Sequence, residues 1–444
     1  MQSEVDKVTR GYKKFLMLWG ASLISTSGSG MTSFALGIFI YQKTGLTSMT
    51  GLMIMAGFLP GLLLSPFAGA LADRHDRRLL MMLGDGLSIL GLLCILFTLN
   101  FLGGGLLVGG ILLGAAISSG FSCLVEPSFR ATISDLLDKD EYTRASGMVQ
   151  LIPASRYLLS PILAGLLLTM AGIHIILLLD IFTILVTLPI TYLVRKEMRG
   201  LSKTGTSKLG EDLKLGFQII YNKKGIWLLV MLGTLVSFCL GTVQTLMIPM
   251  LLSFGGESFV GFATTISALG MLAGGLILSR LTIKKGFTRM LQYALLGMGF
   301  FMAIFAWKES EILVCIFGFC LFLSLPFANT AMDYLVRVTV PPVHQGKAWG
   351  MIGLISQLGY VVAYGSVGLF VDFIIKPFLR NGGGLAQVTL SLIGRGEGRS
   401  AALMIILAGL FLMIIALILS DNNEIKKLED EDLINYSNIY YRFK

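Results

Sequence analysis

The chain has 444 residues, 55% of them hydrophobic and only 14% charged, against about a quarter charged in ordinary soluble domains. That much apolar side chain exceeds what a soluble core can hide, which excludes a soluble globular protein and leaves a membrane protein. The formal net charge of +9 does not point to nucleic acid, because the basic residues are scattered over short connections and form no stripe with interleaved aromatics.

Apolar runs of about 18 to 25 residues recur along the chain, each long enough to cross roughly 30 Å of hydrocarbon as a helix. They lie near 15–41, 48–71, 79–100, 106–126, 144–170, 173–194, 226–253, 258–281, 288–307, 311–335, 347–376 and 400–420, twelve in all. The first follows a short basic lead, Lys7 to Lys14, without a small-residue cleavage site, so it is expected to be an uncleaved helix. Within it Ser22, Ser25, Ser29 and Ser33 are spaced 3, 4 and 4 apart and share one face. The second run ends in Gly69-Ala-Leu-Ala-Asp-Arg-His-Asp-Arg-Arg78, and the fourth ends at Glu126-Pro127. The fifth carries Gln150 and Arg156, the latter roughly 18 Å along from residue 144 and so near mid-membrane. Asp180 lies roughly 11 Å into the sixth run.

A polar linker, 195–224, follows. The seventh run offers Thr234, Ser237, Gly241 and Gln244 on one face, the tenth has Asp333 near its end, and the eleventh carries Gln357, Tyr360 and Tyr364. Between the last two runs, Asn381-Gly-Gly-Gly384 reads as a flexible loop, and 421–444 as a solvated tail. The domains expected are therefore 1–194, a linker 195–224, a second bundle 225–420 and a tail 421–444: an all-α membrane protein of twelve transmembrane helices in two pseudo-symmetric six-helix bundles. Lys and Arg gather in alternate connections, which places both termini in the cytoplasm of a cell membrane. The connection holding Lys376, Arg380, Arg395 and Arg399 runs against this trend.

The halves repeat. At an offset of 210, Gly45, Ser48, Gly51, Leu71 and Arg74 meet Gly255, Ser258, Gly261, Leu281 and Lys284; at 203, Arg144-Ala-Ser-Gly-Met148 meets Lys347-Ala-Trp-Gly-Met351. Two six-helix halves about an axis along the membrane normal are a transporter plan, with the substrate site near the midplane.

The stretch Gly69 to Arg78 resembles the loop 2–3 signature of the major facilitator superfamily, with Asp76 where a second glycine is usual. Gly147, Arg156, Ser160-Pro161 and Ala164-Gly165 resemble the fifth-helix signature of that family's antiporters, with Arg156 in place of a glycine. Phe58-Leu-Pro60, Asp73-Arg-His-Asp-Arg77 and Leu179-Asp-Ile-Phe182 are most similar to the bacterial macrolide-efflux type of exporter. The resemblance implies a central cavity lined by spans 1, 7 and 11. It also implies a gate in which Gly69, Asp73, Arg74, Arg77 and Arg78 form the loop and Asp73, paired with a nearby arginine, latches the cytoplasmic side against the start of span 11.

No phosphate-binding Gly-x-x-x-x-Gly-Lys-Ser/Thr loop occurs, so transport is expected to run on an ion gradient. Ionisable groups inside spans are costly and mark sites by default. Asp180, Glu126 and Asp333 are the proton-coupling candidates; Arg156, Ser25, Ser29, Gln150, Gln244, Gln357, Tyr360 and Tyr364 are the substrate-cavity candidates. Arg156 and Asp180 are expected to pair, either beside the substrate path or as a static tie between spans 5 and 6. The five cysteines lie inside spans without a CxxC pair and the three histidines are far apart, so no metal site, disulfide or cofactor is expected.

The function expected is secondary active export of a lipophilic or amphiphilic small molecule, macrolide-like, by proton antiport, from a monomer in the lipid bilayer. Its partners are that substrate and protons, with no nucleic acid. Export of a native siderophore, peptide or lipid stays open, as does a non-transporting scaffold or receptor. An enzyme is not expected, since nucleophile, base and metal ligand do not gather at one depth.

Overall fold

The computed structural model describes residues 2–137, 141–196, 209–281, 283, 285–341, 345–381, 383–420 and 424–429. In hydrocarbon every backbone N–H and C=O must be satisfied within the chain, and helices do this locally. Fifteen α-helices result among the described residues: α1 (Gln2–Thr44), α2 (Thr47–Arg74), α3 (Arg77–Phe101), α4 (Gly104–Ser122), α5 (Val125–Leu136), α6 (Tyr142–Leu158), α7 (Ser160–Lys196), α8 (Leu209–Asn222), α9 (Lys224–Arg280), α10 (Phe287–Phe305), α11 (Glu311–Thr339), α12 (Gln345–Phe370), α13 (Lys376–Asn381), α14 (Gly383–Ile393) and α15 (Arg399–Ser420). A π-helical turn, Val371–Ile375, joins α12 to α13.

Among the described residues ten helical stretches are long and apolar enough to cross a membrane. Two of them, Gly147–Lys196 with 50 residues and Lys224–Arg280 with 57, are far too long for one crossing, being about 75 and 86 Å against a hydrocarbon core of about 30 Å. Each is broken by a glycine outside helical geometry, Gly172 at φ 75°, ψ 178° and Gly256 at φ 70°, ψ 179°. That conformation is essentially closed to residues with a Cβ. The bend divides each stretch into two runs, so the twelve runs of the sequence lie on ten continuous helical stretches.

The chain forms two compact units, one of residues 1–45 and 52–207 and the other of 46–51 and 208–444. In the first, α1 packs along α7, and α3 packs against both α4 and α7. One end is closed by a core of Phe15, Leu18, Met81, Phe129, Val149 and Val194, with the Trp19 indole donating to the Met148 carbonyl at 2.7 Å. In the second, α9 packs on α11 and α12, while α10 packs on α11 and α15.

Three segments differ from the sequence expectation. Residues 209–222, expected as linker, form α8, whose Phe217 and Tyr221 rings gather with Trp227 at the start of α9. Packing of α8 on α12 and α9 makes the segment part of the second unit. The glycine-rich stretch expected as a flexible loop is helical on both sides of Gly382, which lies outside the described residues; α14 is tied down by the Trp307 indole, which donates to the Leu392 carbonyl at 3.0 Å. In the tail, residues 424–429 are helical, with Ile425 and Leu428 buried rather than solvated.

Two basic residues that ran against the charge trend are neutralised where they sit. Lys376 Nζ lies 2.6 Å from Asp372. Arg399, only 1% exposed, lies 3.0 Å from Glu309 and donates to the Ile393 carbonyl at 2.9 Å.

Candidate functional site

The polar interior of the first unit is built from faces of α1, α3 and α7. On α7, Asp180, Thr183 and Thr187 are spaced 3 and 4 apart and so share a face. On α1, Ser25, Gly28 and Thr32 share another by the same spacing. The two faces meet at Gly28: a Cβ there would stand 2.5 Å from Thr183 Oγ1 and 2.9 Å from Asp180 Oδ1, so only glycine lets α7 come this close.

Asp180 is 1% exposed, and its Oδ1 has no hydrogen-bond partner. Thr32 stands beside it, and Thr32 Oγ1 is also buried without a partner. From α3, Asp85 completes the group. Its Oδ1 accepts from Ser25 Oγ at 3.4 Å and its Oδ2 from Thr187 Oγ1 at 3.3 Å. The charges of Asp85 and of Arg156 both reach Asp180.

Arg156, on α6, is exposed and donates from Nη2 to Ser33 Oγ at 3.3 Å. It makes no ion pair with Asp180, contrary to the expected pairing: its stem packs against Gly30 of α1, whose Cβ would lie 3.0 Å from Arg156 Cγ. The serine face of α1 is therefore divided in use. Ser25 serves Asp85, Ser33 serves Arg156, and Ser29 bonds back to the Thr26 carbonyl at 3.2 Å. Gln150 is exposed on α6.

The second unit offers neutral polar groups. Tyr364, 4% exposed, donates its hydroxyl to Gln244 Oε1, bringing together residues expected on spans 7 and 11. Tyr360 lies tilted against it, with ring centroids 5.9 Å apart, and Gln357 is half-buried one turn before. Between Lys224 and Arg280 the only ionisable side chains are Cys239 and Glu257.

Of the remaining coupling candidates, Glu126 is exposed and paired with Arg130 one turn on at 2.9 Å. Asp333 is exposed beside Arg337 and Tyr334. In the loop signature, Gly69 and Arg74 lie in the last turns of α2, Arg74 exposed, while the Asp73 side chain lies outside the described residues. Arg77 and Arg78 converge on Asp135 of α5, each at 2.8 Å, with Arg78 buried. Asp76 caps α3 by accepting from the Arg78 N–H at 3.1 Å and receives Arg195 Nε at 2.7 Å. Burial would raise the Asp76 carboxyl, but Arg195 and the helix N–H groups hold it below the usual carboxylate value.

Asp85 and Asp135 are the residues the sequence reading passed over. Asp85 had a signal: it is the lone charge between Arg78 and Phe101, inside Gly84-Asp-Gly86, and an acid in an apolar run marks a site by default. Asp135 had none, because its partners lie 57 and 58 positions away in the chain. Among the described residues no three His, Cys, Asp or Glu side chains gather as metal ligands.

Helical units of this kind, with paired apolar crossings and a polar interior, define a multi-pass membrane transporter. The chain belongs to the Major Facilitator Superfamily, whose family profile matches residues 18–255. It is 23% identical over 379 residues to macrolide efflux protein A of Streptococcus pyogenes, covering 83% of this chain and 92% of that one. To macrolide efflux protein A of Enterococcus faecalis it is 24% identical over 317 residues, 69% of this chain and 96% of that protein. Its fold is similar to the crystal structure of a bacterial homologue of the iron transporter ferroportin in its inward-facing state, with a TM-score of 0.71 at 15% identity, covering 93% and 99% of the two chains.

Proposed function

We propose that this transporter exports a lipophilic or amphiphilic small molecule of macrolide-like character from the cytoplasm in exchange for protons, by alternating access in the cell membrane with both termini inside. The observation that carries the coupling is Asp180: a carboxylate 1% exposed that makes no ion pair among the described residues. A buried charge without a partner costs several kcal/mol, so a proton that comes and goes is the least costly way to keep it. Glu126 and Asp333 lack this property, since both are exposed.

The substrate class is supported by the likeness to the macrolide efflux proteins and by the neutral, aromatic group of Gln244, Tyr360 and Tyr364. Tyrosines of this kind offer a large apolar contact with one polar handle. Arg156, exposed with its guanidinium on Ser33, is a positive group within the first unit.

The test uses inside-out vesicles with a radiolabelled macrolide. An acid interior should drive accumulation in wild type, and Asp180→Asn should abolish that drive. Accumulation indifferent to the pH gradient in wild type would overturn the proton-antiport reading, and accumulation of no macrolide or dye in a panel would overturn the substrate class.

A further inference from the structure

The first unit holds two acids inside its apolar helices, and they belong to one group. Asp85 comes from α3 and Asp180 from α7, and the two feel each other's charge. Neither makes an ion pair. Asp85 has only two long hydrogen bonds from neutral hydroxyls, Ser25 and Thr187. Asp180 is 1% exposed, with the Thr32 hydroxyl beside it.

We propose that Asp85 and Asp180 act as one coupled proton site, with Thr32, Ser25 and Thr187 as its hydroxyl surround. This rests on the proton-antiport reading above and adds Asp85, which neither the loop signature nor the fifth-helix signature contains.

The two acids stand in one polar interior, joined through facing turns of α1 and α7, and carboxylates in a medium that solvates them poorly repel, so the two do not charge independently. Such a pair releases its protons in steps that belong to the pair and not to one residue. The charged groups facing it from the packed helices are few. On α1 there is none between Lys14 and Lys43, and on α4 none at all. On α3 Asp85 stands alone between Arg78 and Phe101. On α7 the other titratable groups within the apolar stretch are His174, exposed beside the Gly172 bend, and Tyr192, also exposed. On α5, Asp135 is held by Arg77 and Arg78, and Glu126 by Arg130. That leaves Arg156 of α6, whose charge reaches Asp180 while its guanidinium is held by Ser33.

Arg156 therefore supplies the alternative to the proton. When the carboxyl O–H bond breaks and the proton leaves to water, the bared Asp180 gains a cation within reach; when a proton returns, Arg156 goes back to Ser33. No other bond is made or broken.

The test compares wild type, D85N, D180N and the double variant in proteoliposomes with a radiolabelled macrolide. Two readouts are taken: accumulation driven by a pH gradient, and counterflow at equal pH, which needs no net proton movement. D85N should lower gradient-driven accumulation about tenfold more than it lowers counterflow. The double variant should be no worse than D180N alone, because both changes remove the same proton. Macrolide-induced proton release from the purified protein, read with a pH dye, should vanish in D85N. If D85N is driven as well as wild type, or if the two losses multiply in the double variant, the shared site is wrong while proton antiport stands. A wild type driven by sodium and not by protons would overturn both.

Discussion

The two units present the same helix end and cap it differently. At the internal offset of 210, Asp76 of the first unit meets Gly286 of the second, each at the N-cap position of its helix, α3 or α10. Asp76 caps its own helix with its side chain and is itself held by Arg195. Gly286, at φ 86°, has no side chain to offer. The acid comes instead from the tail: Glu429 accepts from the N–H groups of Gly286, Phe287 and Thr288. Next along, the arginines Arg77 and Arg78 are matched by Phe287 and Thr288, and the grip on Asp135 by a stack of Phe287 on Tyr334 at 3.6 Å. The need to satisfy free N–H groups at a helix start survived duplication, whereas the residues that meet it diverged.

The same asymmetry runs through the membrane interior. The first unit carries Asp85, Asp180 and Arg156, while the corresponding polar group of the second is Gln244 with Tyr364. Asp85 and Asp180 belong to the first unit alone, whereas the buried acid of the second, Asp372, is held by Lys376.

If the arginine cluster is specific to the first unit, Asp135→Ala should be the most damaging change, about 3–5 kcal/mol, because it strands a buried Arg78. Thermal unfolding of the purified protein in detergent measures this, and a loss under about 1 kcal/mol would mean the cluster is solvated in practice.

A division of charge between the units makes a second prediction. Asp180→Asn should cost about a hundredfold in gradient-driven transport. Gln244→Leu should weaken macrolide binding about tenfold, by loss of its bond with Tyr364, and leave the pH profile in place. A pH profile that moved with Gln244→Leu would erase the distinction.

The capping comparison is sharpened by Glu429→Ala, expected to lower stability by about 2 kcal/mol through three unpaired N–H groups. Burial pushes the Glu429 carboxyl up, but the N–H groups of Thr288, Gly286 and Phe287 bring it below the usual glutamate value. A depressed carboxyl stabilises fully above its unfolded value, about 4.3, and that contribution is lost as pH falls through the lower folded value. The gap between wild type and Glu429→Gln should therefore be complete above about pH 5 and narrow as the pH falls through the lowered folded value. A gap that widened in acid would reverse the assignment.

The smallest effect belongs to Glu126→Gln. Its bond to Arg130 is exposed and lies within one helix, so the expected change in melting is under about 0.5 kcal/mol.

Hydropathy and spacing along the chain determined the membrane class and the apolar runs that carry its helices, and marked Asp180 and Arg156 as ionisable groups inside those runs. These are local properties: a run of apolar residues has one stable answer in hydrocarbon, and a charge inside it stands out wherever its partner lies. The loop signature likewise showed that Arg77 and Arg78 mattered, but not what they grip. Only the tertiary structure decided that Ser25 meets Asp85, that both arginines meet Asp135, that Arg156 rests on Ser33 instead of Asp180, and that Glu429 caps a helix 143 positions back. Each depends on how far a helix is rotated about its axis and which neighbour it packs against. Spacing within a single helix carries no record of either.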